Sequence, residues 1–422
     1  MPEPADFDVI GVGFGPSNLA LAIAVAEHNR TAAEPVTARF LERQAAFGWH
    51  RGMLIEDATM QVSFLKDLVT MRNPASDFSF LSYLHSQGRL ADFINHKILF
   101  PLRIEFHGYF DWAAARVADQ VGYGQEVVSV SDGFEVRTAD GSTYRARNLV
   151  MGTGLRPNLP EGITPSDRVW HNHELLHRIG ELRDPGRCVV IGAGQSAAEV
   201  TAFLHERFPA AEICAVFARY GYSPSDDSAF ANRIFDPEGV DAFYTAPEDV
   251  KRRLMGYHAN TNYSAVDIDL IDELYRRLYR EKVQGRQRLR IFNTSRPIEV
   301  TGDARVSLES LTNGDKTVLD ADLVVYATGY QPADPTPLLG DLAGRCRRDE
   351  HGRLRVERDY RLVAPDLDGT IYLQGGTEHT HGVTSSLLSN TAVRVGEILD
   401  SILGRAKSTV DWRSEYAVRE WA

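Results

Sequence analysis

The chain carries the same local signature twice, and few folds accommodate it. Phe7-Asp8-Val9-Ile10 is a short apolar run that ends in Gly11-Val12-Gly13-Phe14-Gly15-Pro16. A helix is predicted from Ser17 to about Glu27, then a strand at Arg39-Phe40-Leu41-Glu42. Cys188-Val189-Val190-Ile191 likewise runs into Gly192-Ala193-Gly194-Gln195-Ser196-Ala197, a helix to about Glu206 and a strand over Glu212–Arg219. Strand, glycine turn and helix open a dinucleotide-binding βαβ unit. Amides at the helix start point at an anion, and the helix dipole favours negative charge there. Glycine lets the backbone approach a pyrophosphate closely. In the first unit Pro16 replaces the last fingerprint glycine and suits a first helical turn. Glu42 ends the next strand, as a ribose-binding acid would, but falls later than the usual spacing. In the second unit Arg219 stands where that acid would be. A cation there suits a 2′-phosphate and predicts NADP rather than NAD.

Two such units imply two nucleotide cofactors, and the remaining chain repeats in step with them. Leu149-Val150-Met151-Gly152-Thr153-Gly154-Leu155-Arg156-Pro157 matches Leu323-Val324-Val325-Tyr326-Ala327-Thr328-Gly329-Tyr330-Gln331-Pro332. Each follows a β-meander, with hairpin turns at Asp140-Gly141 and Asn313-Gly314. The layout resembles flavoproteins that bind two dinucleotides, with FAD in the first unit and NADPH in the second. Two stretches depart from it. Residues 48–103 include predicted helices at Ser79–Gln87 and Leu90–Asn95. Residues 223–282 are rich in Asp, Asn, Tyr and Phe, with helical periodicity over Asp267–Glu281. The expected fold is α/β: two Rossmann-like dinucleotide-binding domains and a smaller, mostly helical substrate-binding region. The expected divisions are 1–160 and 318–422 for a discontinuous FAD domain and 161–317 for the NADPH domain, with the substrate insert at 223–282 and crossings at Thr153 and Thr328.

Composition removes other classes. The 422 residues are 43% apolar and 25% charged, as in globular proteins, and allow two or three domains. A net charge of −12 argues against nucleic-acid backbones as partners. No apolar run approaches the roughly 20 residues of a membrane span, and the acidic N-terminus lacks a signal pattern. Cys188, Cys214 and Cys346 form no CxxC, which argues against a disulfide framework or a disulfide reductase and favours the cytoplasm. The pairs His171/His173 and His379/His381 lack partners at metal-ligand spacing, so no metal is expected.

Longer motifs carry a more specific resemblance. Trp49-His50-Arg51-Gly52-Met53 and Met60-Gln61-Val62-Ser63-Phe64-Leu65-Lys66-Asp67-Leu68 are similar to the flavin-dependent N-hydroxylating monooxygenases, above all the L-ornithine N5-monooxygenases. The similarity continues through Phe80-Leu81-Ser82-Tyr83-Leu84, Pro101-Leu102-Arg103, Asp226-Asp227-Ser228, Asn260-Thr261-Asn262-Tyr263-Ser264, Ala327-Thr328-Gly329-Tyr330 and His381-Gly382 to Leu388-Ser389. It implies that NADPH reduces FAD, that O2 adds to the flavin as a C4a-hydroperoxide, and that a substrate amine takes the distal oxygen. It also implies a homo-oligomer, a tetramer in many members, and a product destined for hydroxamate siderophores or for N–N bond formation as in piperazate.

The resemblance assigns roles by position. Lys66 pairs with the substrate α-carboxylate, Asn232 holds its amino-acid end, and Asn262 lies near the reacting amine. Leu387 and Ser389 line the pocket for the substrate side chain. Met60 and Gln61 lie against the flavin, with Trp49 and His50 as neighbours, and Arg103 lies near flavin and nicotinamide. Gln61, Asn262 and Arg103 form the expected catalytic set. Gly11, Gly13, Gly15, Pro16 and Glu42 bind the first cofactor. Gly192, Gly194, Gln195, Ser196, Arg219 and Tyr263 bind the second, and Thr328 and Gly329 also contact cofactor. Lysine and diamines are the rival substrates. A diamine would leave the Lys66 ammonium without an anion in a closed site, whereas one methylene separates ornithine from lysine by only about 1–3 kcal/mol. A ketone- or sulfur-oxidising flavoprotein and a non-catalytic NADPH-binding regulator are the competing classes. Val169–Arg187 lacks the Baeyer–Villiger fingerprint.

Overall fold

The computed structural model describes residues 6–258 and 265–405. One sheet contains β1 (Phe7–Val12), β2 (Ala38–Glu42), β3 (Val121–Tyr123), β4 (Val127–Ser131), β5 (Glu135–Thr138), β6 (Thr143–Met151) and β17 (Thr370–Leu373). Its order is β3-β2-β1-β6-β5-β4, and β17 joins the C-terminal half of β6. β1, β2, β3, β6 and β17 run parallel, whereas β4 and β5 are antiparallel. Alternate residues feed opposite layers. Val9, Phe40, Val150 and Tyr372 pack on one face with α1 (Pro16–Asn29), α4 (Arg103–Ala115) and α12 (Thr391–Ile402). Ile10, Leu41, Leu149 and Ile371 pack on the other. Burial on both faces explains why these strands read as continuous apolar runs. The expected helices at 79–95 are α2 (Phe80–Ser86) and α3 (Leu90–His96). The Ser79 hydroxyl caps the first by accepting the Ser82 N–H.

A short pair, β7 (Leu155–Pro157) with β16 (Tyr330–Pro332), joins the two halves antiparallel just beyond the Thr-Gly steps. The second sheet is wholly parallel, in the order β11 (Leu289–Phe292), β10 (Glu212–Val216), β9 (Arg187–Ile191), β15 (Leu323–Tyr326), β8 (Val169–His171). The meander β12 (Ser295–Val300), β13 (Arg305–Ser310) and β14 (Lys316–Asp320) covers one face through Val306, Leu308 and Leu319. On the other face lies α6 (Gln195–Arg207). Three single-turn helices, α5 (Leu175–Arg178), α10 (Thr336–Leu339) and α11 (Glu378–His381), fill connections.

The structure shifts three expected boundaries. β10 ends at Val216, not Arg219, because the chain turns there to bond the β11–β12 corner: Phe217 N–H donates to the Phe292 carbonyl. β15, which the expected division at 317/318 assigns to the first unit, pairs instead with β9 and β8 inside the second sheet. The expected insert contains α7 (Pro237–Thr245), α8 (Glu248–His258) and α9 (Ile268–Gln284). Leu274 of α9 is buried in the core of the second sheet's α6 face, so that helix covers the sheet rather than standing apart from it.

Candidate active site

At the first glycine turn, Gly11 leaves no room for a side chain: a Cβ would lie 2.2 Å from the Phe40 ring. Gly13 has φ +82°, and a Cβ there would lie 2.5 Å from the Gly152 carbonyl oxygen. Gly15 instead faces open space and caps α1 without a side-chain hydrogen bond, with Pro16 beginning the helix. The first amides of α1 are therefore free of a side-chain cap, an arrangement that fits a pyrophosphate. Glu42 is buried and accepts the Phe14 N–H at 2.7 Å and the Gln44 N–H at 2.9 Å. It thus ties the turn to the end of β2. Sequence reading missed the brace behind this turn. The Asn18 amide donates to the Gly13 carbonyl at 2.7 Å and accepts from Gln374 at 2.8 Å, while buried Arg394 donates to Ser17 Oγ and to the Ser385 carbonyl. These partners come from the far end of the chain, and nothing local marks them.

Residues 58–61 run beside 101–103. Met60 N–H donates to Pro101 and Arg103 N–H donates to Ala58. Met60 is buried, and Gln61 is exposed with its amide 3.3 Å from Thr59 Oγ1. The Arg103 guanidinium is a bidentate partner of Glu199 at 2.7 and 2.9 Å and also donates to the Met53 carbonyl. Trp49 packs on Phe110 in the first core. The His50 ring meets Tyr330 edge-on at 5.4 Å. Burial first, then the Arg103 charge, push its pKa down to about 4, so the ring is neutral at pH 7.

The second turn repeats the first in backbone form. Gly192 has φ +147°, and a Cβ there would lie 2.3 Å from the Ala327 carbonyl oxygen. Gly194 caps α6 without a side-chain bond, and Ser196 is half-buried in the first helical turn. Gln195 already has partners: its amide donates to Glu199 at 3.0 Å and accepts the Asp267 N–H at 2.8 Å. Arg219 is half-buried three residues past β10. Thr328 donates to the Asn158 carbonyl, and Gly329 accepts from Asn158 N–H. The His171 ring contacts the Gly329 carbonyl at 2.9 Å and His173 at 3.1 Å. His381 stacks on Tyr360. No group of three or more metal-ligating side chains occurs among the described residues.

Lys66 and Asn232 meet at Phe235, and the segment that carries Leu387 and Ser389 reaches it through Asn390. Lys66 Nζ lies 5.9 Å from the Phe235 ring centroid, and no carboxylate among the described residues pairs with it. Buried Asp67 holds the Lys66 loop by accepting the N–H groups of Val69, Thr70 and Phe80. Asn232 lies in the same short 3-10 segment as Phe235 and donates to the Asp227 carbonyl at 2.7 Å. Asn390 donates to the Phe235 carbonyl at 3.3 Å. That contact brings in Ser389, which is buried with its hydroxyl oxygen lacking a partner among the described residues. Leu387, two residues earlier, is half-buried. An orphaned buried hydroxyl in one segment that meets Phe235 and an ammonium without a carboxylate partner in the other fit a bound polar ligand. Phe235 was missed by sequence reading, since one phenylalanine among many carries no signal. Asn262 and Tyr263 lie outside the described residues. A separate open cleft of about 420 Å³, lined by Phe243, Lys251, Met255 and Arg353 among others, contains none of the expected site residues.

Comparison with known proteins places the chain in a family. The profile of the L-lysine 6-monooxygenase/L-ornithine 5-monooxygenase family matches residues 5–332. An L-ornithine N(5)-monooxygenase of Burkholderia cepacia is 40% identical, covering 90% of this chain and 91% of that protein. An ornithine N-hydroxylase of Kutzneria sp. 744, whose structure carries reduced FAD, NADP+ and L-ornithine, superposes with a TM-score of 0.91 at 46% identity, over 95% of this chain and 99% of its own. An L-lysine 6-monooxygenase of Pseudomonas syringae is 31% identical with a TM-score of 0.83, over 94% and 99% of the two chains. The chain belongs to the L-lysine 6-monooxygenase/L-ornithine 5-monooxygenase family.

Proposed function

We propose that this chain hydroxylates N5 of L-ornithine with FAD, NADPH and O2, giving N5-hydroxy-L-ornithine, NADP+ and water. The observation that carries the reading is Lys66: a half-buried lysine without a carboxylate partner among the described residues, its ammonium beside Phe235. Such a charge wants an anion, and a free amino acid supplies one in its α-carboxylate.

When bound and reduced by NADPH, FAD supplies the activation of O2 for transfer of one oxygen atom to an amine. The first glycine turn, Glu42, Trp49, His50, Met60 and Gln61 hold FAD. Gly192, Gly194, Gln195, Ser196, Arg219 and Tyr263 hold NADPH, with Thr328 and Gly329 at the crossing. Lys66 takes the α-carboxylate and Asn232 the amino-acid end. Asn262 accepts a hydrogen bond from the side-chain amine in its neutral form. Leu387 and Ser389 line the pocket for the substrate side chain, which positions the amine and keeps water out. Residues before Thr153 and after Thr328 form the FAD unit, and those between form the NADPH unit.

The exposed face of α9 supports self-association. Ile268, Tyr275, Tyr279 and Val283 line it, with Asp269 and Asp272 toward one end and Arg276 and Arg280 toward the other, so an antiparallel second copy matches charge to charge. No helix among the described residues is long and apolar enough to cross a membrane. A cytoplasmic location is our reading from the cysteine usage.

The test is a product assay with FAD, NADPH and air, offering L-ornithine, L-lysine and putrescine separately and looking by mass for one added oxygen. Product from ornithine alone is expected. Product mainly from putrescine would remove the carboxylate role of Lys66. NADPH consumption with no oxygenated amine would remove N-hydroxylation itself.

A further inference from the structure

Glu199 lies on the buried face of α6 among Ala197, Ala198 and Val200, where a carboxylate is costly unless paired and hydrogen-bonded. Its side chain is 5% exposed. It accepts two N–H groups of Arg103, at the start of α4 on the first sheet, and one from Gln195 in the second glycine turn. Gln195 in turn accepts the backbone N–H of Asp267, the residue that caps α9. Asp267 follows Asn262 and Tyr263 by only five and four positions in the sequence. One buried carboxylate therefore joins the strip of Met60 and Gln61, the second glycine turn and, through Gln195, the cap of α9. Buried ion pairs are poor stabilisers, since apolar replacements of similar volume are often as stable. Stability alone does not account for a charge at this place.

We propose that Glu199 is a positioning residue for hydride delivery. It touches neither substrate nor reacting atoms. By fixing Arg103 and the Gln195 amide, it sets the distance between the second glycine turn and the flavin strip. The inference rests on the proposed FAD and NADPH sites.

The test uses the FAD-loaded protein and the variants Glu199→Gln and Glu199→Asp. The glutamine side chain keeps the size, loses the charge and turns donors toward Arg103 or Gln195. Two readouts are taken. Hydrogen exchange without NADPH should rise at Asp267 and the first turn of α9 in Glu199→Gln, because the Gln195 acceptor is no longer held. Single-turnover flavin reduction at saturating NADPH should slow by about tenfold, with the apparent NADPH dissociation constant changed less than about threefold and FAD content retained. Glu199→Asp should fall between wild type and Gln in both. A merely structural role predicts instead a common loss of melting temperature, FAD and NADPH affinity. Reduction within about twofold of wild type together with unchanged exchange overturns the proposal. If Glu199→Gln does not fold, Glu199→Asp decides by the same two criteria. Wild-type protein that fails to reduce its flavin with NADPH would defeat the functional reading, while the exchange result still decides whether Glu199 holds α9.

Discussion

The two glycine turns share a backbone plan and differ in what holds them. The first is braced from within its own layer: Glu42 bonds the turn from β2, and Asn18, Gln374 and Arg394 support it from behind. The second has no such acid. Its Gln195 and Glu199 reach outward, to Arg103 on the other sheet's helix and to the start of α9. The first turn is thus a self-contained cradle, suited to a cofactor that stays. The second is set by contacts to its surroundings, suited to a cofactor that comes and goes and must be aligned each time.

Alanine at each turn separates them most sharply. At Gly13 and Gly192 a side chain would meet a backbone carbonyl oxygen at 2.5 and 2.3 Å. At Gly13 the left-handed backbone adds about 1–2 kcal/mol for alanine. Gly13→Ala should be isolated without flavin. Gly192→Ala should keep its flavin but lose reduction by NADPH. Flavin absorbance after gel filtration measures the first and anaerobic mixing with NADPH the second. Equal flavin loss from both would show that the turns are not independent.

The substrate side gives the next largest effect. Lys66→Ala should raise the KM for ornithine by about 100-fold, the worth of a charge-assisted hydrogen bond of 2–3 kcal/mol. Flavin reduction by NADPH should be untouched, since the side chain's contact is with Phe235 and its proposed partner is the substrate carboxylate. Unchanged ornithine turnover would sink the carboxylate role.

What could be read in advance follows the range of the interactions. The βαβ starts and the Asp140-Gly141 and Asn313-Gly314 hairpins were legible because strand, turn and helix signals are local. The strand expected to reach Arg219 was too long: its apolar run continues through Phe217, while the partner strand's corner at Phe292 and Ser295 draws the chain away. The Arg103–Glu199 pair, the Asn18–Gln374 bond and the seat of Lys66 on Phe235 join residues 96, 356 and 169 positions apart. Their side chains carry no mark of the partner, so only the fold reveals them. Family resemblance supplied Lys66 and Ser389 but not Phe235 beside them.

Arg219→Ala refines the second turn. Loss of one charged contact to a 2′-phosphate should weaken NADPH about tenfold and leave NADH nearly unchanged. Arg219 lies three residues beyond β10, where its carbonyl accepts the Thr294 N–H, so the melting temperature of Arg219→Ala is measured beside the affinities. Kd values for NADP+ and NAD+ by titration decide it, and equal losses would mean that the arginine does not read the phosphate.

Acid should produce the smallest difference, and one ring at the crossing isolates the second turn's share of it. His50, against Tyr330, and His171, against the Gly329 carbonyl, are each pushed down to about 4 by burial. Both rings are therefore more acidic in the fold than in the unfolded chain, where an ordinary histidine titrates near 6.5. The unfolded chain binds the extra protons between about pH 6.5 and 4, so the stability these rings contribute is complete above pH 6.5 and is lost as the pH falls through that window. Thermal melting should drop more steeply from pH 6.5 to 5 than from 8 to 6.5. Replacing His171 with Asn removes one titrating ring at the crossing and should flatten the acid limb by a few degrees. Hydrogen exchange at pH 5 then adds the spatial test: His171→Asn should slow exchange around Gly192 and Gly329 relative to wild type and leave the Gly13 turn unchanged, because Asn18, Gln374 and Glu42 contain no histidine and the Arg394 brace lies near a different buried ring, His381, itself pushed down to about 3. Equal slowing at both turns in His171→Asn would mean that the first turn depends on the crossing after all, and that its cradle is less self-contained than its hydrogen bonds make it.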